Sequence, residues 1–311
     1  MIRGLILALA LATPAGAIDL ALPADCTLGD TCYIQQYFDH DPGPGAQDFT
    51  CGGLSYDGHD GTDIALPSRA AMAAGVAVLA AAAGTVTGTR DGLADFTPVV
   101  PGKECGNGVI IDHGQGWQTQ YCHMKQGSIT VHPGDSVTSG TPLGQIGQTG
   151  LAEFPHLHLT LRHDGHPVDP FASDTPATCS GPSPELWADD LAYQPGGLLA
   201  IGIADALPDY DAIKAGLASP DLPVTAPALV VWAFLYGGQT GDEIRFTLTG
   251  PEGAVVDDSA VLDKAQAQAF RAVGRKLKTA GWPAGPYTGT ARLIRRGAEL
   301  GRKEITLTVT P

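Results

Sequence analysis

The sequence predicts an all-β protein made of two antiparallel β-domains in tandem. Three observations carry that reading. The chain has 311 residues, a length that suits two domains of ~150 residues each. Glycine and proline are abundant, at 41 and 24 residues, which favours many turns and short strands over long helices. The apolar residues come in short runs punctuated by glycine rather than in helical stripes.

The chain opens on Met1-Ile2-Arg3, a short positive segment, followed by an apolar stretch from Leu5 to Ala12. Ala15-Gly16-Ala17 then places small residues where a signal peptidase reads them, so residues 1–17 are expected to be a secretory signal peptide. The stretch is far shorter than the ~20 apolar residues of a spanning helix. No membrane anchor is expected after cleavage, and a periplasmic or secreted location follows. Six cysteines suit disulfides in that oxidising setting. With 33 acidic and 18 basic residues the net charge is -15. That balance argues against nucleic acid as a partner and against docking on anionic lipid, since both need clustered Lys and Arg.

Residues 18–56 hold Cys26, Cys32 and Cys51 among turn formers such as Asp41-Pro42-Gly43-Pro44-Gly45, and read as a loop-rich entry segment. Residues 57–172 read as the first β-domain. Its runs include Val76 to Ala80, Gly84 to Gly88, Gly108 to His113, Gly127 to Val131 and Leu157 to Leu161. The Ala- and Val-rich stretch Ala70 to Ala83 is expected to form core strands around a Gly75 turn. Gly114-Gln115-Gly116 reads as a hairpin turn. Residues 173–195, rich in Ser, Pro and Thr, read as a linker lying over the first domain. Residues 196–311 form the second domain. Strands are expected at Ala228 to Leu235, Ile244 to Thr249, Tyr287 to Ile294 and Ile305 to Val309. Their spacing, with turns such as Gly250-Pro251-Glu252-Gly253, suggests an immunoglobulin-like β-sandwich. Tyr210 to Leu217 reads as a short helix, and Ala265 to Val273 as a short helix or an irregular crossing.

Two of the histidine spacings suggest chemistry. Gly58-His59-Asp60-Gly61-Thr62-Asp63 places a His and an Asp four apart on a glycine-rich loop, and an imidazole nitrogen and a carboxylate oxygen both suit Zn²⁺. By itself that pair would be two polar residues on a loop. Pro155-His156-Leu157-His158-Leu159 is stronger. On a strand, the period of two puts both imidazoles on one face and the leucines on the other. A catalytic zinc takes three protein ligands and keeps one position for water. The assignment is His59, Asp63 and His158 on the metal, with His156 beside the water as general base. His123, which closes the run Gln120-Tyr121-Cys122-His123-Met124, would steady the oxyanion or assist the base.

The order of these elements resembles the lysostaphin and LytM-like zinc metallopeptidases, peptidase family M23. The Gly-His-x-Gly-x-Asp loop, the Tyr-x-His strand and the Pro-His-x-His strand follow in that family's order. Val131-His132-Pro133-Gly134-Asp135-Ser136-Val137-Thr138-Ser139-Gly140 fits a segment found between the last two, and Val168-Asp169-Pro170 closes the domain in the usual way. The resemblance covers roughly residues 50 to 172. It implies a small antiparallel β-domain with its site in a groove, zinc on His59, Asp63 and His158, and His123 with His156 as the catalytic pair. It implies an exported zinc endopeptidase cutting the peptide cross-links of peptidoglycan. Some LytM-like domains lack ligands and activate other wall hydrolases, so a non-catalytic regulator is the alternative, against which the intact five-residue set argues. The C-terminal sandwich would stabilise the chain or bind a wall glycan or a protein partner.

The chain departs from a minimal family domain in two ways. Asp91 to Glu104, with Pro98 and Pro101, looks like an insertion that would wall the groove. The cysteines are also extra. Cys105 and Cys122 flank the hairpin at nearly matching distances, so a cross-strand bridge is expected, while Cys26, Cys32, Cys51 and Cys179 have three possible pairings.

Overall fold

The computed structural model describes residues 18–174 and 183–311. The expected signal peptide and Cys179 lie outside the described residues. No helix among the described residues is long and apolar enough to cross a membrane.

The N-terminal part comprises β1 (Tyr33–Gln36), β2 (Thr62–Ala65), the helix α1 (Arg69–Ala74), β3 (Ala77–Leu79), β4 (Gly84–Arg90) and β5 (Asn107–Gly114). It continues with β6 (Trp117–Met124), β7 (Ser136–Val137), β8 (Pro142–Gln145), β9 (His156–His163) and β10 (His166–Val168). The main sheet runs β1-β2-β9-β6-β5-β4-β7, with β10 added beside β9. β1 therefore brings residues preceding position 57 into the same sheet as the histidine strand.

Strand alternation decides what each face of this sheet does. Leu157, Leu159 and Leu161 of β9 point into one core with Ile34, Ile64, Val109, Ile111 and Tyr121, all fully buried or nearly so. The intervening His156 and His158 face the other way. That core also takes in Leu20, Leu186 and Trp187, so the stretch read as a linker lies against it. Cys26 pairs with Cys32, and Cys105 bridges to Cys122 across the β5–β6 hairpin as expected. Cys51 is also disulfide-bonded.

Three local expectations are corrected. Residues 69–74 form α1 rather than a strand. Arg-Ala-Ala-Met-Ala-Ala is rich in good helix formers, the Ser68 side chain caps the Ala71 N–H, and Gly75 at φ 89° ends the turn. Only the β3 portion of that stretch is extended. Gly127 to Val131 is not a strand, because side chains take its backbone donors: Asp91 accepts from the N–H groups of Gly127 and Ile129. The segment Ala265 to Val273 lies within a strand, described next, whose ladder with its neighbour overrides its weak local signal.

The C-terminal part comprises β11 (Gly197–Ala204), the helix α2 (Tyr210–Ala215), β12 (Leu222–Pro223), β13 (Ala228–Gly238) and β14 (Glu243–Gly250). It ends with β15 (Gly253–Val261), β16 (Gln266–Lys276), β17 (Gly285–Arg295) and β18 (Ala298–Thr310). One sheet is ordered β11-β13-β16 and the other β12-β18-β17-β14-β15. Chain crossings from β13 to β14 and from β16 to β17 make this an immunoglobulin-type Greek key. Leu229, Val231, Ala233 and Leu235 of β13 meet Phe246, Leu248, Ala291 and Leu293 of the opposite sheet in a second core. Tyr287, near the start of β17, donates its hydroxyl to the Pro283 carbonyl at 3.0 Å, a tyrosine corner of the kind immunoglobulin-type sandwiches use.

One ion pair fastens this sandwich to the segment entering it. Arg295 reaches the Asp242 carboxylate through Nε at 2.8 Å and Nη2 at 2.7 Å, and also donates to the Pro195 and Gly237 carbonyls. Both side chains are buried, with Asp242 only 1% exposed. Asp242→Ala would strand a buried guanidinium and is expected to cost about 3 kcal/mol or more. Urea unfolding of the purified chain measures this, and a loss below about 1 kcal/mol would show that the pair is not a fastening.

Candidate metal centre and active site

Adjacent strands assemble the cluster. β2 pairs with β9 so that Asp63 stands opposite His158 and Ala65 opposite His156. β6 pairs on the other side of β9, with Cys122 opposite His158. Side chains directly opposite in an antiparallel pair share a face, so Asp63, His156 and His158 meet on the face away from the leucine core. His59 comes from the loop before β2. That loop is held by Asp39, whose Oδ2 accepts from the Gly58 N–H at 2.9 Å and whose own N–H donates to the His59 carbonyl. Gly61 lets the loop close. A Cβ there would lie 2.5 Å from the Leu159 carbonyl oxygen and 2.7 Å from His158 Nε2.

The three expected metal ligands converge. His59 Nε2 lies 3.2 Å from Asp63 Oδ1 and 3.1 Å from His158 Nδ1, and His158 Nδ1 lies 2.9 Å from Asp63 Oδ1. The ring nitrogens on the far sides fix the tautomers. His59 Nδ1 donates to the Tyr37 carbonyl at 2.6 Å, which leaves Nε2 as an acceptor. His158 Nε2 faces the Thr160 hydroxyl at 2.9 Å and Asp60 Oδ1 at 3.3 Å, which favours a proton there and a lone pair on Nδ1. Three buried acceptors then confront one another with no donor among them. Such a set requires a cation, either a proton or a metal ion, and two imidazoles with one carboxylate are a donor set that zinc accepts. These are the only His, Cys, Asp or Glu residues among those described that group in this way.

Without an ion, the proton fills that role. Burial works against protonation of His158, but hydrogen bonds to Asp60 and Asp63 outweigh it and raise the pKa to about 9. Burial would raise Asp63, but the charges of His59 and His156 and hydrogen bonds from His158 and His59 hold it well below the usual carboxylate range. Asp60 is lowered chiefly by its hydrogen bond to His158.

The other two histidines stand beside the cluster in a different state. His123 Nδ1 donates to the Thr149 carbonyl at 2.7 Å, and His156 Nδ1 donates to the Phe154 carbonyl at 2.9 Å. Carbonyls only accept, so each Nδ1 carries the proton and each Nε2 keeps its lone pair. The rings lie 4.5 Å apart between centroids, and His156 Nε2 is 3.6 Å from Asp63 Oδ1. Burial and the neighbouring His156 and His158 push His123 down to about 3. Burial also lowers His156, against the pull of Asp63. Two neutral imidazoles thus flank the cluster, each with a basic nitrogen available. His123 holds its place in the left-handed backbone region at φ 63°, a conformation kept by its N–H bond to the Cys105 carbonyl beside the Cys105–Cys122 bridge.

All five residues picked from the sequence therefore gather at one place. Sequence reasoning missed the groups that orient them. The Tyr37, Thr149 and Phe154 carbonyls leave no mark in side-chain identity. Thr160 and Asp60 were legible in principle: Thr160 sits two residues after His158 on the same strand face, and Asp60 lies inside the His59–Asp63 motif. The Asp91–Glu104 segment is tied down by Asp95, which accepts from the Gln126 and Gln148 N–H groups, so it adjoins the stretch holding Thr149.

Residues 57–170 match the model of peptidase family M23, and they form a domain of that family. Over 128 residues the chain is 33% identical to the peptidoglycan DD-endopeptidase ShyA of Vibrio cholerae, covering 41% of this chain and 26% of that protein. It is 32% identical over 136 residues to the DD-carboxypeptidase/endopeptidase Mpg of Neisseria meningitidis, covering 43% of this chain and 25% of that one. The match thus spans about a quarter of the length of each of these two relatives. Among solved structures, the catalytic domain of the prophage-encoded M23 protein EnpA from Enterococcus faecalis aligns over 50% of this chain and 100% of its own, with 23% identity and a TM-score of 0.35.

Proposed function

We propose that the chain is an exported zinc metalloendopeptidase that hydrolyses peptide cross-links in peptidoglycan. The observation that carries this reading is the confrontation of His59 Nε2, Asp63 Oδ1 and His158 Nδ1 without a donor, flanked by two imidazoles with free Nε2 atoms. The likeness to a DD-endopeptidase supports the substrate class. Residues 1–17 would direct export, residues 18–56 lead into a peptidase domain at 57–172, and residues 173–195 connect it to the sandwich domain at 196–311.

His59, Asp63 and His158 would hold the ion, which when bound supplies Lewis-acid polarisation of the scissile carbonyl. His156 Nε2 would take the proton of the attacking water, while its Nδ1–H stays on the Phe154 carbonyl and fixes the ring. His123 Nε2 would share the proton relay, and once protonated it would donate to the developing oxyanion or the leaving nitrogen. The peptide C–N bond breaks, and the water's proton ends on the new amine. A zymogram on peptidoglycan tests the reading: clearing is expected with zinc and none with a chelator. Absence of clearing by fully zinc-loaded protein would favour a regulator of another hydrolase instead.

Metal loading should also move a proton. With its pKa near 9, His158 is protonated in the metal-free protein at pH 7, and zinc needs that nitrogen's lone pair. Uptake at pH 7 is expected to release about one proton per site, falling toward zero as pH rises past about 9. Titration calorimetry in two buffers of different ionisation enthalpy counts it. No release at pH 7 would contradict the assignment of His158 Nδ1 as a ligand atom.

A further inference from the structure

The peptide that leads into β9 lies against the C-terminal sandwich. Phe154 packs on a small cluster of Tyr33, Ala65 and Tyr236, the last contributed by β13 of the sandwich. The Tyr33 and Tyr236 rings stand 4.3 Å apart between centroids. Gln268 of β16 donates to the Tyr33 hydroxyl at 2.9 Å and to Gln35 Oε1 at 3.2 Å, and Gln35 in turn donates to the Ala267 carbonyl. Tyr33, Ala65 and His156 stand in one row across β1, β2 and β9, so all three face the same side of the sheet. At the end of the row, the Phe154 ring lies 4.6 Å from the His156 ring, and the Phe154 carbonyl holds His156 Nδ1.

We propose that the C-terminal sandwich is a working part of the active site, with Tyr236 and Gln268 as positioning residues that hold Phe154 and through it the ring of His156. The inference rests on the reading of His156 as the proton acceptor. It gives the sandwich a task that needs no glycan or protein ligand. A peptidase domain that lost this contact would keep its metal ligands, because Asp63 and His158 are braced by the β2–β9 ladder and His59 by Tyr37 and Asp39. It would lose the geometry of proton transfer, to which rates are steeply sensitive.

The test compares zinc-loaded, full-length wild type with Tyr236→Ala, Tyr236→Phe and Gln268→Ala on a soluble cross-linked muropeptide. Tyr236→Ala is expected to lower kcat by about tenfold or more, with KM within about twofold and zinc content unchanged. Tyr236→Phe, which keeps the ring, should restore the rate. The Nδ1–H resonance of His156, protected by the Phe154 carbonyl in the wild type, should exchange faster in Tyr236→Ala. Gln268→Ala should show the same pattern more weakly, and it serves if Tyr236→Ala fails to fold. A lowered unfolding temperature with unchanged kcat and an unchanged His156 resonance overturns the proposal and leaves the sandwich a stabilising appendage. His156→Ala, measured in parallel, separates the two possible failures. If it is fully active, the assignment of His156 falls. If it is inactive beside a fully active Tyr236→Ala, only the role of the sandwich falls.

Discussion

His158→Ala is expected to abolish zinc retention and hydrolysis together. The substitution removes the ligand that faces both others, at 3.1 Å from His59 Nε2 and 2.9 Å from Asp63 Oδ1. What remains is one imidazole and one carboxylate, too few donors for the tetrahedral site a catalytic zinc requires. Losing only an orienting partner of a ligand typically costs about 10–100-fold in metal affinity, so losing the ligand itself should exceed that range. The fold should survive, because β9 remains anchored by Leu157, Leu159 and Leu161 in the core. Zinc content after gel filtration, read beside the clearing of purified sacculi, measures both effects. A folded variant that still carries one zinc per chain would exclude His158 from the metal site.

His156→Ala separates catalysis from binding. Its Nε2 lies 3.6 Å from Asp63 Oδ1, near the cluster but outside the group of three that converge. Zinc content should therefore match the wild type. Activity should fall by about 10²–10⁴-fold, the range expected when a positioned general base is lost. Single-turnover cleavage of a cross-linked muropeptide reads the chemical step directly. Near-wild-type cleavage would move the proton-accepting role to His123, whose Nε2 is equally free. Loss of zinc would move His156 into the ligand set.

Side-chain periodicity carried much of the site. His156 and His158 could be placed on one face because a strand alternates, and the leucines between them had to go into a core. The His59–Asp63 pair was weaker evidence, since nothing in a glycine-rich loop states where it folds back. The reason it does is Gly61, whose missing side chain admits the Leu159 carbonyl and the His158 ring. Backbone carbonyls were the least legible part. Tyr37, Thr149 and Phe154 set three tautomers through oxygen atoms that every residue possesses. In the fold, the alternating strands of the sandwich could be read, but the edges of the first domain could not. Tyr33–Gln36 looks like part of a turn-rich entry segment until β2 offers it a ladder. Arg69–Ala74 shows the opposite failure, where alanine and valine suggested buried strand and a serine cap decided for helix.

The alternation on β9 also acts as a form of proof-reading. Because the side-chain period is two, sliding this strand by one residue against β2 would turn His156 and His158 into the core and send Leu157 and Leu159 out to the site. Two desolvated imidazoles and two wetted leucines would penalise the slip on both faces at once. A mispaired but still peptidase-like fold is therefore not a neighbouring state of this chain. Any molecule that has packed its leucines correctly has, by the same register, assembled its histidines.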